Sequence, residues 1–171
     1  MNKYELYKLK VAGLSNEQVF RIVSYWEMNG DWPDLEQIAQ LAGCRNQALF
    51  IERYIRIDDQ ILREEFKEFD SISIMDEEYP EELLWMHNPP VLLFYEGNID
   101  LLKHPKIAVV GSRRCSRTGI HSVEKIINEL NNELVVVSGL AKGIDAASHY
   151  AAIRNGGKTI GVIGTGLDVY Y

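Results

Sequence analysis

Cysteine is scarce: only Cys44 and Cys115 occur, with no CxxC pair or Cys/His cluster beside either. The sequence therefore offers neither a disulfide framework nor metal-ligand spacing, and both residues read as free thiols. No metal and no cofactor are expected. Long apolar runs are missing too, since none approaches the roughly 20 residues that cross a bilayer. The opening Met1-Asn2-Lys3-Tyr4-Glu5 lacks the apolar stretch of a secretory signal, so a cytoplasmic protein is expected. Neither a Walker A pattern nor GxGxxG is present, which argues against ordinary ATP or dinucleotide binding. The helical part contains no internal repeat, and the chain has no low-complexity tract.

Positive charge is also in short supply, the formal net charge being −7. It is unevenly placed. Residues 1–70 hold 9 Lys and Arg against 13 Asp and Glu, residues 71–105 hold 1 against 7, and residues 106–171 hold 8 against 5. Only the last third is basic, so an anionic ligand would be drawn there.

What is present divides the chain into three stretches. Residues 1–70 read as a small helical interaction domain. Ser15-Asn16-Glu17-Gln18 fits a capping box, and Val19, Ile22, Val23 and Trp26 follow at helical spacing. Asp34 opens a helix with Leu35, Ile38, Ala39 and Leu41, which Gly43 ends; the next carries Ala48, Leu49, Ile51, Tyr54 and Ile55, and Asp58 or Asp59 caps one more. A helix-turn-helix with Arg45, Arg53 and Arg56 facing DNA is the weaker reading, because the segment is acidic and a solvated face explains the arginines. Residues 71–105 read as a connector with a short strand at Val91–Tyr95 and a solvent-facing acidic cluster of Asp76, Glu77, Glu78, Glu81 and Glu82.

Residues 106–171 repeat one unit: a β-branched run, a turn rich in Gly and Ser, then a helical pattern. That order specifies parallel βαβ units, with strands predicted at 107–110, 134–138 and 159–163. Right-handed crossovers bring the three following loops to one sheet edge. The predicted phosphate-binding residues there are Gly111, Ser112, Arg113, Ser138, Gly139, Lys142, Gly143, Gly164, Thr165 and Gly166. Glycine lets the backbone approach a ligand, hydroxyls and N–H groups donate, and Arg113 supplies a bidentate fork. The alternative is that the glycines only make tight turns. Asp145 and His149, four apart on one helix face, could serve acid–base chemistry, but an architectural, orienting role is the simpler expectation.

These motifs resemble the DNA-processing protein A family, also called DprA or Smf. Ile107 to Arg113 looks like its strand and Gly-Ser-Arg loop, Ser138 to Asp145 is similar to its Ser-Gly-x-Ala-x-Gly-Ile-Asp signature, and Thr159 to Asp168 matches its third strand and Gly-x-Gly turn. Lys142 stands where many members have Arg, and Ser148 where many have Ala. Tyr4 to Lys10 and Gly43 to Asn46 look like streptococcal members. The resemblance implies an α/β chain, with a sterile-alpha-motif-like helical domain followed by the first half of a Rossmann-like domain that ends at Tyr171. It also implies a non-enzymatic protein that protects incoming single-stranded DNA in natural transformation and helps load the RecA recombinase. Homodimers are implied for full-length members. The rival expectation is a Rossmann-like enzyme acting on a nucleotide or sugar phosphate.

Overall fold

The computed structural model describes residues 2–130 and 132–169, and two compact units emerge, residues 1–96 and 97–171. Tyr170 and Tyr171, at the end of the predicted Rossmann-like stretch, lie outside the described residues.

The first unit opens with α1 (Lys3–Val11), α2 (Asn16–Asn29), α3 (Leu35–Leu41), α4 (Gln47–Arg56) and α5 (Asp59–Lys67). Each begins where a short polar side chain can accept from an orphan backbone N–H. Asn2, Ser15, Asp34, Asn46 and Asp58 all do so. Ser15 with Gln18, and Asp34 with Gln37, form complete capping boxes, as the sequence predicted for the first. Leu6, Leu9, Val19, Ile22 and Ala39 are fully buried and form the centre of the core. Helix α4 departs from the predicted face. Phe50 with Ile51, Tyr54 and Ile57 packs on the core, while Leu49 and Ile55 are exposed. The 50, 54, 57 spacing follows the larger aromatic side chains. We expect Ser15→Ala to lower the stability of this unit by about 1 kcal/mol, read as a lower melting temperature by tryptophan fluorescence. No change would mean that the cap contributes nothing.

Residues 70–96 fold with these helices, whereas a connector was predicted over 71–105. Strand β1 (Asp70–Ser73) pairs antiparallel with β2 (Leu92–Tyr95), and α6 (Glu81–Leu84) lies between them. Val91 is fully buried in the helical core, and Phe94 meets Tyr7 and Phe66 edge-on. Asp76 is not the free solvent-facing group the sequence suggested: its carboxylate accepts from the Ser73 N–H and hydroxyl and pairs with Lys3 at 3.1 Å.

The second unit runs from a 3₁₀ turn (Ile99–Lys103) through β3 (Lys106–Ala108), α7 (Arg117–Glu129), β4 (Val135–Ser138), α8 (Ile144–Arg154) and β5 (Thr159–Gly161). The strands are parallel and lie in the order β3-β4-β5, with Ala108 beside Val137 and Ser138 beside Gly161. They match the predicted segments to within one or two residues at each end: β3 begins one residue earlier and ends two sooner, β4 begins one later, and β5 ends two sooner. Because order in space follows order in the chain, two right-handed crossovers place both helices on one face. Ile107, Val109 and Val136 meet Val123, Ile127, Leu130, Ala151 and Ala152 there. At alternate positions Val110 (76%) and Val162 (60%) remain exposed.

Candidate functional site

Parallel strands put the loops after β3, β4 and β5 at one edge, where the sequence predicted them to converge. The first loop is locked onto the start of α8. The Ser112 carbonyl accepts from the Ile144 N–H at 3.2 Å. A Cβ on Gly111 would lie 2.7 Å from three side-chain atoms of Ile144, and one on Gly143 would lie 2.9 Å from Arg113 Cα and collide with the Ser112 carbonyl oxygen. Gly143 also has a φ of +89°. Gly139 packs against Asp145, whose Oδ2 would lie 2.9 Å from an added Cβ. Gly111, Gly139 and Gly143 therefore serve close approach of protein to protein. Gly164 differs: among the described residues nothing lies within 4 Å of its would-be Cβ.

The exposed members of the predicted set are Gly111, Ser112, Arg113, Lys142, Gly164, Thr165 and Gly166. Ser138 departs from its predicted role as a hydroxyl offered to phosphate. It is buried, its hydroxyl donates to the Val109 carbonyl at 2.6 Å, and its own carbonyl accepts from the Val162 N–H at 2.8 Å. Ser138 thus ties together the carboxyl ends of all three strands. The Ser112 hydroxyl accepts from the Arg114 N–H at 3.1 Å and shapes the turn that leads into α7.

The two helix starts differ in sign. Helix α8 has no side-chain cap, carries Asp145 in its first turn, and has its first N–H engaged by Ser112. Helix α7 is capped by Ser116, has no acidic residue in its first turn, and is preceded by exposed Arg113 and Arg114, with exposed Arg117 as its first residue. Anions are favoured at the α7 start and disfavoured beside Asp145. Sequence reasoning named Arg113 but passed over Arg114 and Arg117 as anion contacts. The signal was the run Arg113-Arg114-Cys115-Ser116-Arg117, a basic turn directly before a cap.

Asp145 and His149 lie beneath these loops, 7% and 5% exposed. Thr159 donates its hydroxyl hydrogen to the Val136 carbonyl at 2.8 Å, so its oxygen accepts from His149 Nδ1. Nε2 then carries the lone pair and is buried, with no hydrogen-bond partner among the described residues. A proton placed there would meet the Ser138 backbone and the Asp145 charge, but the cost of burial is larger and pushes the His149 pKa down. With the folded pKa below the ordinary value near 6.5, the unfolded chain takes up a proton that the folded chain resists. The stability of this unit should be fully present above about pH 6.5 and decline as pH falls below it. Melting between pH 7.5 and 5.5 should show the decline in the parent chain and a smaller one in His149→Asn; equal declines would remove His149 as its source.

Among the described residues no group of three or more His, Cys, Asp or Glu could hold a metal ion, and no helix is long and apolar enough to cross a membrane. A depression of about 560 Å³ lined by Glu5, Trp32, Leu35, Ile38 and Tyr54 belongs to the helical unit and not to the loop edge.

Comparison with known proteins gives two family matches. The family described as DNA recombination-mediator protein A matches residues 70–171, and the DNA processing protein A sterile alpha motif domain matches residues 1–62. The DNA processing protein DprA of Streptococcus pneumoniae is 58% identical over all 171 residues, which cover 61% of its length. The chain thus spans about three fifths of that relative. The X-ray structure of DprA from Streptococcus pneumoniae superposes with a TM-score of 0.98, covering 100% of this chain and 60% of that one at 58% identity. A structure of DNA processing protein A from Helicobacter pylori, concerned with its single-stranded DNA binding mode, matches with a TM-score of 0.51 at 29% identity, covering 61% of this chain and 47% of that one.

Proposed function

The chain belongs to the DNA recombination-mediator protein A family, and from that membership we propose that it binds single-stranded DNA along the loop edge of its second unit, without catalysing a reaction. The observation that carries this reading is the exposed triplet Arg113, Arg114 and Arg117 at the start of α7, next to a loop that is hydrogen-bonded to α8 through Ser112 and Ile144. Arginine forks suit phosphate, and a preformed loop loses little freedom on binding. Lys142 and the open Gly164-Thr165-Gly166 turn extend the surface. Gly111, Gly139 and Gly143 set the backbone, Ser112 turns the loop, and Ser138, Asp145 and His149 support it from beneath. Backbone contacts carry no base identity, so binding is independent of sequence.

The single-stranded DNA binding mode described for the Helicobacter pylori relative supports this reading. For the whole protein, of which relatives have a greater length, the family resemblance supports cytoplasmic protection of incoming DNA in natural transformation, delivery to RecA, and a homodimer. The helical unit, with 9 Lys and Arg against 19 Asp and Glu over residues 1–96, would repel DNA and serve protein contacts. The enzyme alternative needs Asp145 and His149 to reach a substrate, and both are buried.

Titrating labelled oligo-dT and a panel of mononucleotides against the chain tests the proposal. Oligo-dT should bind more tightly than any mononucleotide, with no nucleotide converted. A mononucleotide that binds as tightly as oligo-dT, or is turned over, would favour the enzyme.

A further inference from the structure

Among the described residues only two non-glycine positions have positive φ, Asn132 and Leu140. Asparagine tolerates the left-handed region; leucine does not, because its Cβ crowds the following carbonyl. Leu140 nevertheless adopts φ +55°, one residue after Gly139 and three before Gly143, so glycine is used freely in the same loop. Core packing does not explain the choice, since Leu140 is 51% exposed. Its side chain is still held in a definite place. A Cβ on Gly161 would lie 2.5 Å from Leu140 Cδ1 and 2.7 Å from Cγ, so the bare backbone of Gly161 is the seat on which the isobutyl group rests. The loop after β4 thus presents a fixed, half-exposed apolar side chain at the edge that also carries Lys142, at a cost in backbone conformation that glycine or asparagine would avoid. Strained backbone positions cluster at ligand clamps and active sites.

On the reading that single-stranded DNA lies on this edge, we propose that Leu140 is its base contact, meeting the nucleobase face while Arg113 and Lys142 meet phosphates. A strand offers phosphates to cations and only its bases to an apolar group. Leu140 therefore lets the site distinguish a base-bearing strand from a bare sugar–phosphate chain, and its lack of polar atoms keeps the contact indifferent to base identity.

The test compares oligo-dT with an abasic strand of equal length and phosphate number, using the 171-residue chain and the variants Leu140→Asn, Leu140→Gly and Leu140→Met. Leu140→Asn and Leu140→Gly should melt at or above the parent temperature, because both relieve the backbone. They should bind oligo-dT about five- to ten-fold more weakly, the loss expected for half of a leucine side chain, with abasic affinity unchanged within about two-fold. Leu140→Met should bind oligo-dT like the parent. Equal losses for both strands, no loss for either, or a methionine variant as weak as the asparagine one would overturn the inference. A parent chain that binds no strand at all would overturn the underlying function, and the inference with it.

Discussion

Replacing Gly143 with alanine is expected to destabilise residues 97–171 by about 3 kcal/mol or more. Two costs combine. The backbone at Gly143 has φ +89°, which an L side chain rarely adopts, and the new methyl would meet the Ser112 carbonyl oxygen, with Arg113 Cα 2.9 Å away. The obstacle is main chain, so no side-chain rotation relieves it. Gly164→Ala is the control, because among the described residues nothing lies within 4 Å there and its φ is not left-handed; its effect should stay within about 0.5 kcal/mol. All three tryptophans, Trp26, Trp32 and Trp85, lie in residues 1–96, so fluorescence reports that unit and amide exchange at Val136 reports the other. Parent-like protection of Val136 in Gly143→Ala would show that the loop does not press on α8.

Removing Arg113, Arg114 and Arg117 together should have the largest effect on binding. The triple alanine variant should lose at least about 3 kcal/mol of oligo-dT affinity, against about 1–3 kcal/mol for Arg113→Ala alone. Its log–log salt slope should fall by about 2, since each phosphate contact to a single strand contributes about 0.7. All three side chains are exposed, so melting should change little. An unchanged slope would mean that the arginines face water in the complex as well as in the free chain.

The sequence made the second unit readable because its strands are β-branched runs bounded by glycine and its helices announce their starts, as Ser116 does for α7. The same was true of Ser15 and Asp34. The pairing of β1 with β2 was not readable. Asp70–Ser73 is short and polar at every position but Ile72, and its partner lies some twenty residues further on, with α6 between them in the chain instead of a tight turn. The loops were found, but the division of labour within them was not. Whether a glycine faces a ligand or another backbone depends on what packs against it, and Gly111 meets a residue 33 positions later in the chain. A serine after a strand reads as an exposed donor until the neighbouring strand end, here Val109, is seen to accept from it. Arg114 and Arg117 gained significance only when α7 was found to lack an acidic first turn, while α8 holds Asp145 at its own start.

On the proposed function, single-stranded DNA lies along the loops after β3, β4 and β5. Ultraviolet cross-linking of oligo-dT to the chain, followed by mapping of the modified peptides, tests it most directly. The cross-links should fall within residues 110–117, 138–142 and 162–168, and should diminish as salt is raised. Cross-links confined to residues 1–96, or spread evenly over the chain, would contradict it.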